Sequence, residues 1–370
     1  MGWRDFFKPK TNPQQATPSP AVRTSRVAPM PNMFVCAVVN GSSHRLCLVD
    51  DKGQIAAEVV RLDASRRLGE YAVSPDARWV AYTSFVSGRA DCDPMPTIFA
   101  APASGGASQE LLGTSLESCY QNPVFSPAGG EMVCEFGFEQ DYNPDLQVLE
   151  LEEIGDRLMA LPTGTRIVNP LHIGNHAARY MPDGKRIVYF CNFAYEDLLE
   201  VCLFDPAHAR WEGQGAVGWR LTENADGVWR RPRAIAVQPK WEQIFFIQGH
   251  TRDTERICVF LLPDLAPGTF RKVFNAVGRE HHRIGGLDVS ADGLNLCYDG
   301  DGATYVVAAD GSLLRQISPD GLQSRCARFS KDGRRIAFIG DGVLHVADVD
   351  SREEARALPI AGRIESFVLT

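Results

Sequence analysis

Short apolar runs alternate with polar turns along most of the chain, and one arrangement recurs six times: an apolar strand, a Ser-Pro-Asp-Gly turn, then a second strand of alternating apolar residues. It reads YAVSPDARWVAY from Tyr71, PVFSPAGGEMVC from Pro123, ARYMPDGKRIVYF from Ala178, AIAVQPKWEQIFF from Ala234, GLDVSADGLNLCY from Gly286 and ARFSKDGRRIAF from Ala327. Period-2 alternation bounded by turn residues predicts half-buried β-strands. The turn chemistry agrees: Ser opens the turn, Pro presets φ, Asp bonds its local backbone and Gly takes the left-handed or crowded exit. The anchor residues Ser74, Ser126, Met181, Gln238, Ser290 and Ser330 are spaced 52, 55, 57, 52 and 40 apart. That period fits a four-stranded propeller blade better than a helical solenoid.

Each motif is followed by a third strand: TIFAAP, LQVLEL, LEVCLFD, ERICVFL, ATYVVAAD and VLHVADVD. The chain ends supply a further unit. Residues 34–39 (FVCAVV), 45–50 (RLCLVD) and 55–61 match second, third and fourth strands with no first strand, while 364–370 (IESFVLT) match a first strand with nothing after it. Pairing them predicts an all-β, seven-bladed propeller closed between its ends, which removes two open sheet edges. A six-bladed ring is the alternative and requires one unit to be spurious. Residues 33–370 form the single propeller domain. Residues 1–32, with six prolines and little apolar surface, read as a disordered arm.

The S-P-D-G hairpins resemble the WD40-like repeats of TolB-type β-propellers, over residues 34–370. Pro75, Asp76, Pro127, Gly129, Pro182, Asp183, Gly184, Asp292, Gly293, Asp332 and Gly333 stand on the turn positions of that repeat. The fourth motif departs from it, with Lys240 and Trp241 in place of Asp-Gly. The resemblance implies the fold and says little of function, since such propellers include periplasmic assembly factors, peptidase accessory domains and scaffolds.

Charge and composition narrow the functional classes. Lys+Arg 38 against Asp+Glu 46 gives a net charge of −8, which lacks the basic footprint of a nucleic-acid binder. No apolar run reaches the ~20 residues of a transmembrane helix, and the start lacks the apolar region of a secretory signal, so the expected compartment is the cytoplasm. There is no G-x-S-x-G nucleophile elbow, and the P-loop and dinucleotide fingerprints are read as missing too, so a non-catalytic role without a cofactor is expected. The ten cysteines form no CxxC pair. Cys47, Cys202 and Cys258 share one third-strand position with Phe99, Tyr305 and His345, which marks a packing site rather than a metal or redox centre.

Two sets of candidate site residues remain. The blade-to-blade loops lead to the innermost strands and should ring the channel mouth. They carry His172 and His176, Arg231 and Arg233, His281 and His282 with Arg283, and Arg325. Converging Arg and His side chains suit a carboxylate or phosphate; a metal at HxxxH is a weaker alternative without an acidic partner, and solvated charges are the bland one. Farther out, three second-to-third loops combine acidic residues (Asp91, Asp93, Glu139, Asp141, Glu196, Asp197) with the rings of Phe85, Tyr142, Phe193 and Tyr195. The arm tip adds Trp3, Phe6 and Phe7 among Arg4, Lys8 and Lys10, a composition for a protein, peptide or membrane surface. The leading expectation is a monomeric interaction scaffold, and the alternative is a ligand-binding or lyase-like propeller with an anion site at the channel mouth.

Overall fold

The computed structural model describes residues 33–370 except 64, 87–94, 113–117, 139–140, 170–173, 193–198, 213–214, 223–232, 239–242, 250–253, 262–276 and 352. The regular elements among the described residues are all strands, and they form seven sheets. Blade 1 consists of Phe34–Asn40, Ser43–Val49 and Ile55–Leu62 with Arg363–Leu369 as its innermost strand. The innermost strands of blades 2 to 7 are Arg66–Val73, Ser118–Phe125, Asn175–Tyr180, Arg233–Val237, Ile284–Val289 and Ser324–Phe329. Each innermost strand packs on the next, and Arg363–Leu369 lies between those of blades 7 and 2, so the ring closes.

Closure follows the predicted pairing. Phe34 stands opposite Leu369, Cys36 opposite Phe367 and Val39 opposite Arg363, antiparallel, with one bulge. The apolar core is correspondingly divided into seven clusters, one at each blade interface. The cluster between blades 7 and 1 joins Ala337, Ile339 and Leu344 to Phe34, Cys36 and Ile364. No blade has a core of its own, so each is stabilised only by its neighbours. Cys47, Cys202 and Cys258 are fully buried in three such clusters, and burial pushes the Cys258 thiol up to about 11.

The S-P-D-G turns share one geometry. The anchor N–H donates to the carbonyl five residues on, as in Ser74 to Trp79 (2.9 Å) and Ser330 to Arg335 (2.8 Å). The anchor Oγ accepts the return N–H of Trp79, Asn295 or Arg335 at 2.9 Å and donates to the turn carboxylate of Asp76, Asp292 or Asp332. Met181 and Gln238 lack the hydroxyl yet keep the backbone closure. The exit residue is left-handed at Gly129, Gly184, Gly293 and Gly333; in blade 2 it is Ala77, at φ 59°. An L-residue there costs roughly 1–2 kcal/mol, partly offset by the greater chain entropy of glycine. Ala77→Gly is therefore expected to raise stability by roughly 0.5–1 kcal/mol, read as a higher denaturant midpoint with unchanged slope.

Blade 3 departs from the repeat. Its third strand, Asp141–Ile154, has 14 residues and its fourth, Arg157–Ile167, has 11. Asp141 and Tyr142, expected in a loop, lie in that strand, because Asp141 pairs with Phe138 before the register shifts at Asp145. A hairpin from blade 4, Arg210–Glu212 with Gly215–Val217, crosses over and extends the sheet to six strands, with Ala216 opposite Ile167 in parallel. Contrary to the expectation that no dinucleotide fingerprint is present, the run GQGAVG has the spacing of a dinucleotide-binding glycine loop, but Gly215–Val217 is an added strand and the next described element, Trp219–Arg220, is again a strand. Gly215 and Gly218 serve close packing. A Cβ on Gly215 would meet Val168 at 2.3 Å, and one on Gly218 would meet the Tyr189 hydroxyl at 2.5 Å.

Candidate functional site

The innermost strands carry a bulge at a constant place, four residues before the anchor. Asn122, Ala177, Ala234 and Cys326 are left-handed there, at φ 48° to 62°, and Glu70 and Gly286 hold the same place within register shifts of their own. A bulge frees backbone N–H groups from the ladder. In three interfaces the preceding blade satisfies them with a side chain nine residues after its anchor. Thr83 Oγ1 accepts from Asn122 N (3.0 Å), Glu135 Oε1 from Ala177 N (3.1 Å), and Asp299 Oδ2 from Ala327 N (3.0 Å), while Asp299 also accepts from Gly286 N (3.1 Å) within its own blade. Thr83, Glu135 and Asp299 are all buried. These contacts latch blade 2 to 3, 3 to 4 and 6 to 7. Burial holds the Asp299 carboxyl above the usual carboxylate range despite the donors around it.

The same strands bring four charges into the channel. Glu70 belongs to blade 2, Arg179 to blade 4, Asp288 to blade 6 and Arg328 to blade 7. Because blades 4 and 7 are not neighbours, the influence of Arg328 on Arg179 runs across the lumen. Enclosure by protein, then Arg328, holds Arg179 below the usual guanidinium range, while Glu70, Glu135 and Asp288 oppose that shift. Arg179 donates to the Ala178 carbonyl (2.8 Å), and Arg328 to those of Ala327 (2.9 Å) and Leu287 (3.3 Å). The Asp288 carboxylate accepts from Phe329 N at 2.8 Å. Among the described residues, Arg328 and the three carboxylates Glu70, Glu135 and Asp288 thus act on Arg179 in opposite senses. None of the four was singled out from sequence, although Arg179, Asp288 and Arg328 occupy one repeat position, two before the anchor.

The predicted channel-mouth residues are dispersed in character. His176 is half-buried at the start of the blade 4 inner strand, with Nδ1 3.8 Å from Glu135 Oε2. The His281 ring is fully buried. Its Nδ1 lies 3.0 Å from Asp301, and the ring packs against Tyr298 and Tyr305. It is thus a core histidine and presents no open donor at the mouth. Burial pushes the Asp301 carboxyl up, but the Arg283 N–H and His281 outweigh it and hold the group below its usual range. His282 and Arg325 are exposed. His172 and Arg231 lie outside the described residues, as does the side chain of Arg233.

Of the outer-loop aromatics, Phe85 lies beneath the Arg67 guanidinium, 4.4 Å from the ring centroid, and is half-buried. Phe193, Tyr195 and the side chain of Tyr142 lie outside the described residues, with Trp3, Phe6 and Phe7. A groove of about 440 Å³ runs between the turns of blades 2 and 3, lined by Ser74, Asp76, Trp79, Phe125 and Glu153. Glu153 closes one side of it, accepting from Trp79 Nε1 (2.8 Å) and pairing with Arg78 (2.7 Å).

Among the described residues, Leu313 and Leu314 of blade 6 are exposed as an adjacent pair, and a larger group of exposed apolar side chains lies on the long hairpin of blade 3. In its register Glu150 faces Leu161, Glu152 faces Met159 and Ile154 faces Arg157, so these six share one sheet face. The lower part of that face, Leu146 and Val148 with Ile167 and Ala216, is buried against Ala178, Tyr180 and Tyr189 of blade 4. The upper part overhangs. Ile154 is 56%, Met159 42% and Leu161 52% exposed; Trp211, 62% exposed, stands apart from them, because its partner Ala216 pairs with Ile167 at the far end of the hairpin.

Neither family models nor curated proteins give a match to this sequence. Solved structures do. One from a study of two prolyl endopeptidases superposes with a TM-score of 0.56 at 12% identity, covering 89% of this chain and 50% of that one. A putative 6-phosphogluconolactonase from Bacteroides uniformis gives 0.55 at 15% identity, covering 93% and 100%. TolB from Acinetobacter baumannii gives 0.48 at 13% identity, covering 92% and 83%. The shared property is the β-propeller fold. At such identities nothing narrower follows, and an activity in any of these neighbours stays with the neighbour.

Proposed function

We propose that this propeller is a TolB-like, non-catalytic interaction scaffold that engages a protein or peptide partner. The observation that carries the reading is the overhanging face of blade 3, where Ile154, Met159 and Leu161 stand exposed together on one face near the tip of the long hairpin. Scattered exposed apolar residues need no explanation, but a contiguous set rimmed by charge marks a contact surface. Glu150 and Glu152 supply that rim. The carboxylates Glu70, Glu135 and Asp288 around Arg179 and the burial of His281 weigh against the alternative of an anion site at the channel mouth.

The test compares capture of partners by the full chain and by the Met159→Thr/Leu161→Thr double variant, with Leu294→Glu as an exposed control. Surface changes of this kind shift stability by within about 0.5 kcal/mol, so the ring should stay folded. The expected result is that specific partners are lost with the double variant and retained with the control. Identical capture by all three proteins would remove this face from the function.

A further inference from the structure

The charge of the chain is unevenly divided. Residues 1–32 hold five cations (Arg4, Lys8, Lys10, Arg23, Arg26) and one anion (Asp5), a balance of +4; residues 33–370 therefore carry −8 − 4 = −12. Within the arm, the aromatic rings and three of the cations fall together at its tip, GWRDFFKPK. On the ring, exposed apolar side chains and carboxylates fall together on the blade 3 face, as Ile154, Met159 and Leu161 with Glu150 and Glu152. Asp156 lies in the exposed turn between the two strands. Arg157 shares this face, so Glu150, Glu152, Asp156 and Arg157 sum to −3 + 1 = −2, and the two surfaces are complementary in hydrophobicity and in net sign.

Topology puts them within reach. Met33, where the arm joins the ring, sits beside Thr370, at the end of the blade 1 inner strand. Innermost strands run toward the S-P-D-G turns, so the arm emerges on the face that bears those turns. The tip of the blade 3 hairpin lies on that face too, since Glu153 bonds Trp79 and Arg78 beside the Ser74 turn. From Met33 back to Lys10 the chain can extend roughly 75 Å. A ring of this length has a radius of gyration of only about 20 Å.

We propose that the arm tip, residues 3–10, docks on the overhanging face of blade 3. Trp3, Phe6 and Phe7 cover Ile154, Met159 and Leu161, and Arg4, Lys8 and Lys10 lie against Glu150, Glu152 and Asp156. Aromatic rings on a methionine and aliphatic side chains give large contact area, and the thioether adds favourable contact with a ring edge. The exposed charge contacts add less and are salt-sensitive. The proposal rests on the reading of this face as a contact surface and names its occupant within the chain, so that an external partner must displace the arm or resemble it.

A photoreactive benzoyl-phenylalanine in place of Phe6, in the full chain, tests this by cross-linking and mass spectrometry. Mixing light and isotope-labelled protein separates bonds within a chain from bonds between chains. The expected products are intrachain links to residues 150–161. Their yield should fall several-fold in the Met159→Thr/Leu161→Thr background and in about 1 M salt, where the screening length is roughly 3 Å. Links centred elsewhere on the ring, links only between chains, or a yield no higher than with the same probe at Gln15 would each overturn the docking. If the probe misses blade 3 while the double variant still loses its external partners, the arm proposal falls and the scaffold reading stands.

Discussion

Deleting residues 363–370 is expected to abolish the cooperative fold. The deletion removes Ile364 and Phe367, which are 0% and 4% exposed in the interface between blades 7 and 1. Large-to-small changes at such sites cost roughly 2–5 kcal/mol for an isoleucine and 3–5 for a phenylalanine. It also removes the Ser366 hydroxyl that donates to Tyr71 Oη (3.1 Å), part of the stitch from blade 1 to blade 2. What remains is an unpaired edge along Phe34–Asn40, a template for association. The summed loss rivals the whole stability of a typical domain, roughly 5–15 kcal/mol. Aggregation or a non-cooperative denaturant transition should follow. Phe367→Ala, which leaves the strand in place, should fold with a loss of roughly 3–5 kcal/mol. A truncated protein with unchanged stability and monomeric elution would show that the ends do not close the ring.

Asp299→Ala should produce the largest effect of any single change at a blade interface that leaves the hydrophobic clusters intact. Its carboxylate accepts the backbone N–H groups of Gly286 and Ala327 and the Thr304 hydroxyl (2.9 Å). Thr304 has a second partner in Ser324 Oγ at 2.8 Å, but the two N–H groups lie in a bulge with no ladder partner to replace the aspartate. Orphaning them costs roughly 1–3 kcal/mol each. Asp299→Asn is expected to be much milder, because the amide oxygen can accept both N–H groups while the amide nitrogen donates to Thr304. The pair also differs with pH. Burial raises the Asp299 carboxyl above its unfolded value of about 3.9. Its contribution is therefore fully present below about pH 4 and is lost as pH rises through the folded pKa. The wild-type stability profile should slope downward over that window, and Asp299→Asn should flatten the slope. A variant profile parallel to the wild type would mean that Asp299 does not titrate with the assigned sign.

The blade count, the closing strand and the hairpin turns were legible because each rests on local chemistry that repeats. Ser74, Asp76 and the N–H of Trp79 close their turn within six residues, and the same Ser and Asp at Ser290 with Asp292 and at Ser330 with Asp332 close it again. Even the blade split between the chain ends could be read, since an incomplete unit at each terminus has only one complement. What stayed hidden depends on which blades face each other. Glu135 and Asp299 read as ordinary polar residues of a second strand until the bulge of the next blade supplies their donors. Arg179 and Arg328 are distant in sequence and stand in non-neighbouring blades, so only ring closure sets one across the lumen from the other. His281 looked like a channel-mouth cation because its loop position is right, but a side chain can turn inward, and Asp301, Tyr298 and Tyr305 give this one a buried home. The overhang of blade 3 shows the same division. The alternation that makes Met159 and Leu161 share a face is written in the sequence, whereas their exposure follows from blade 4 being too short to cover them, a consequence of packing between strands of unequal length that no local pattern encodes.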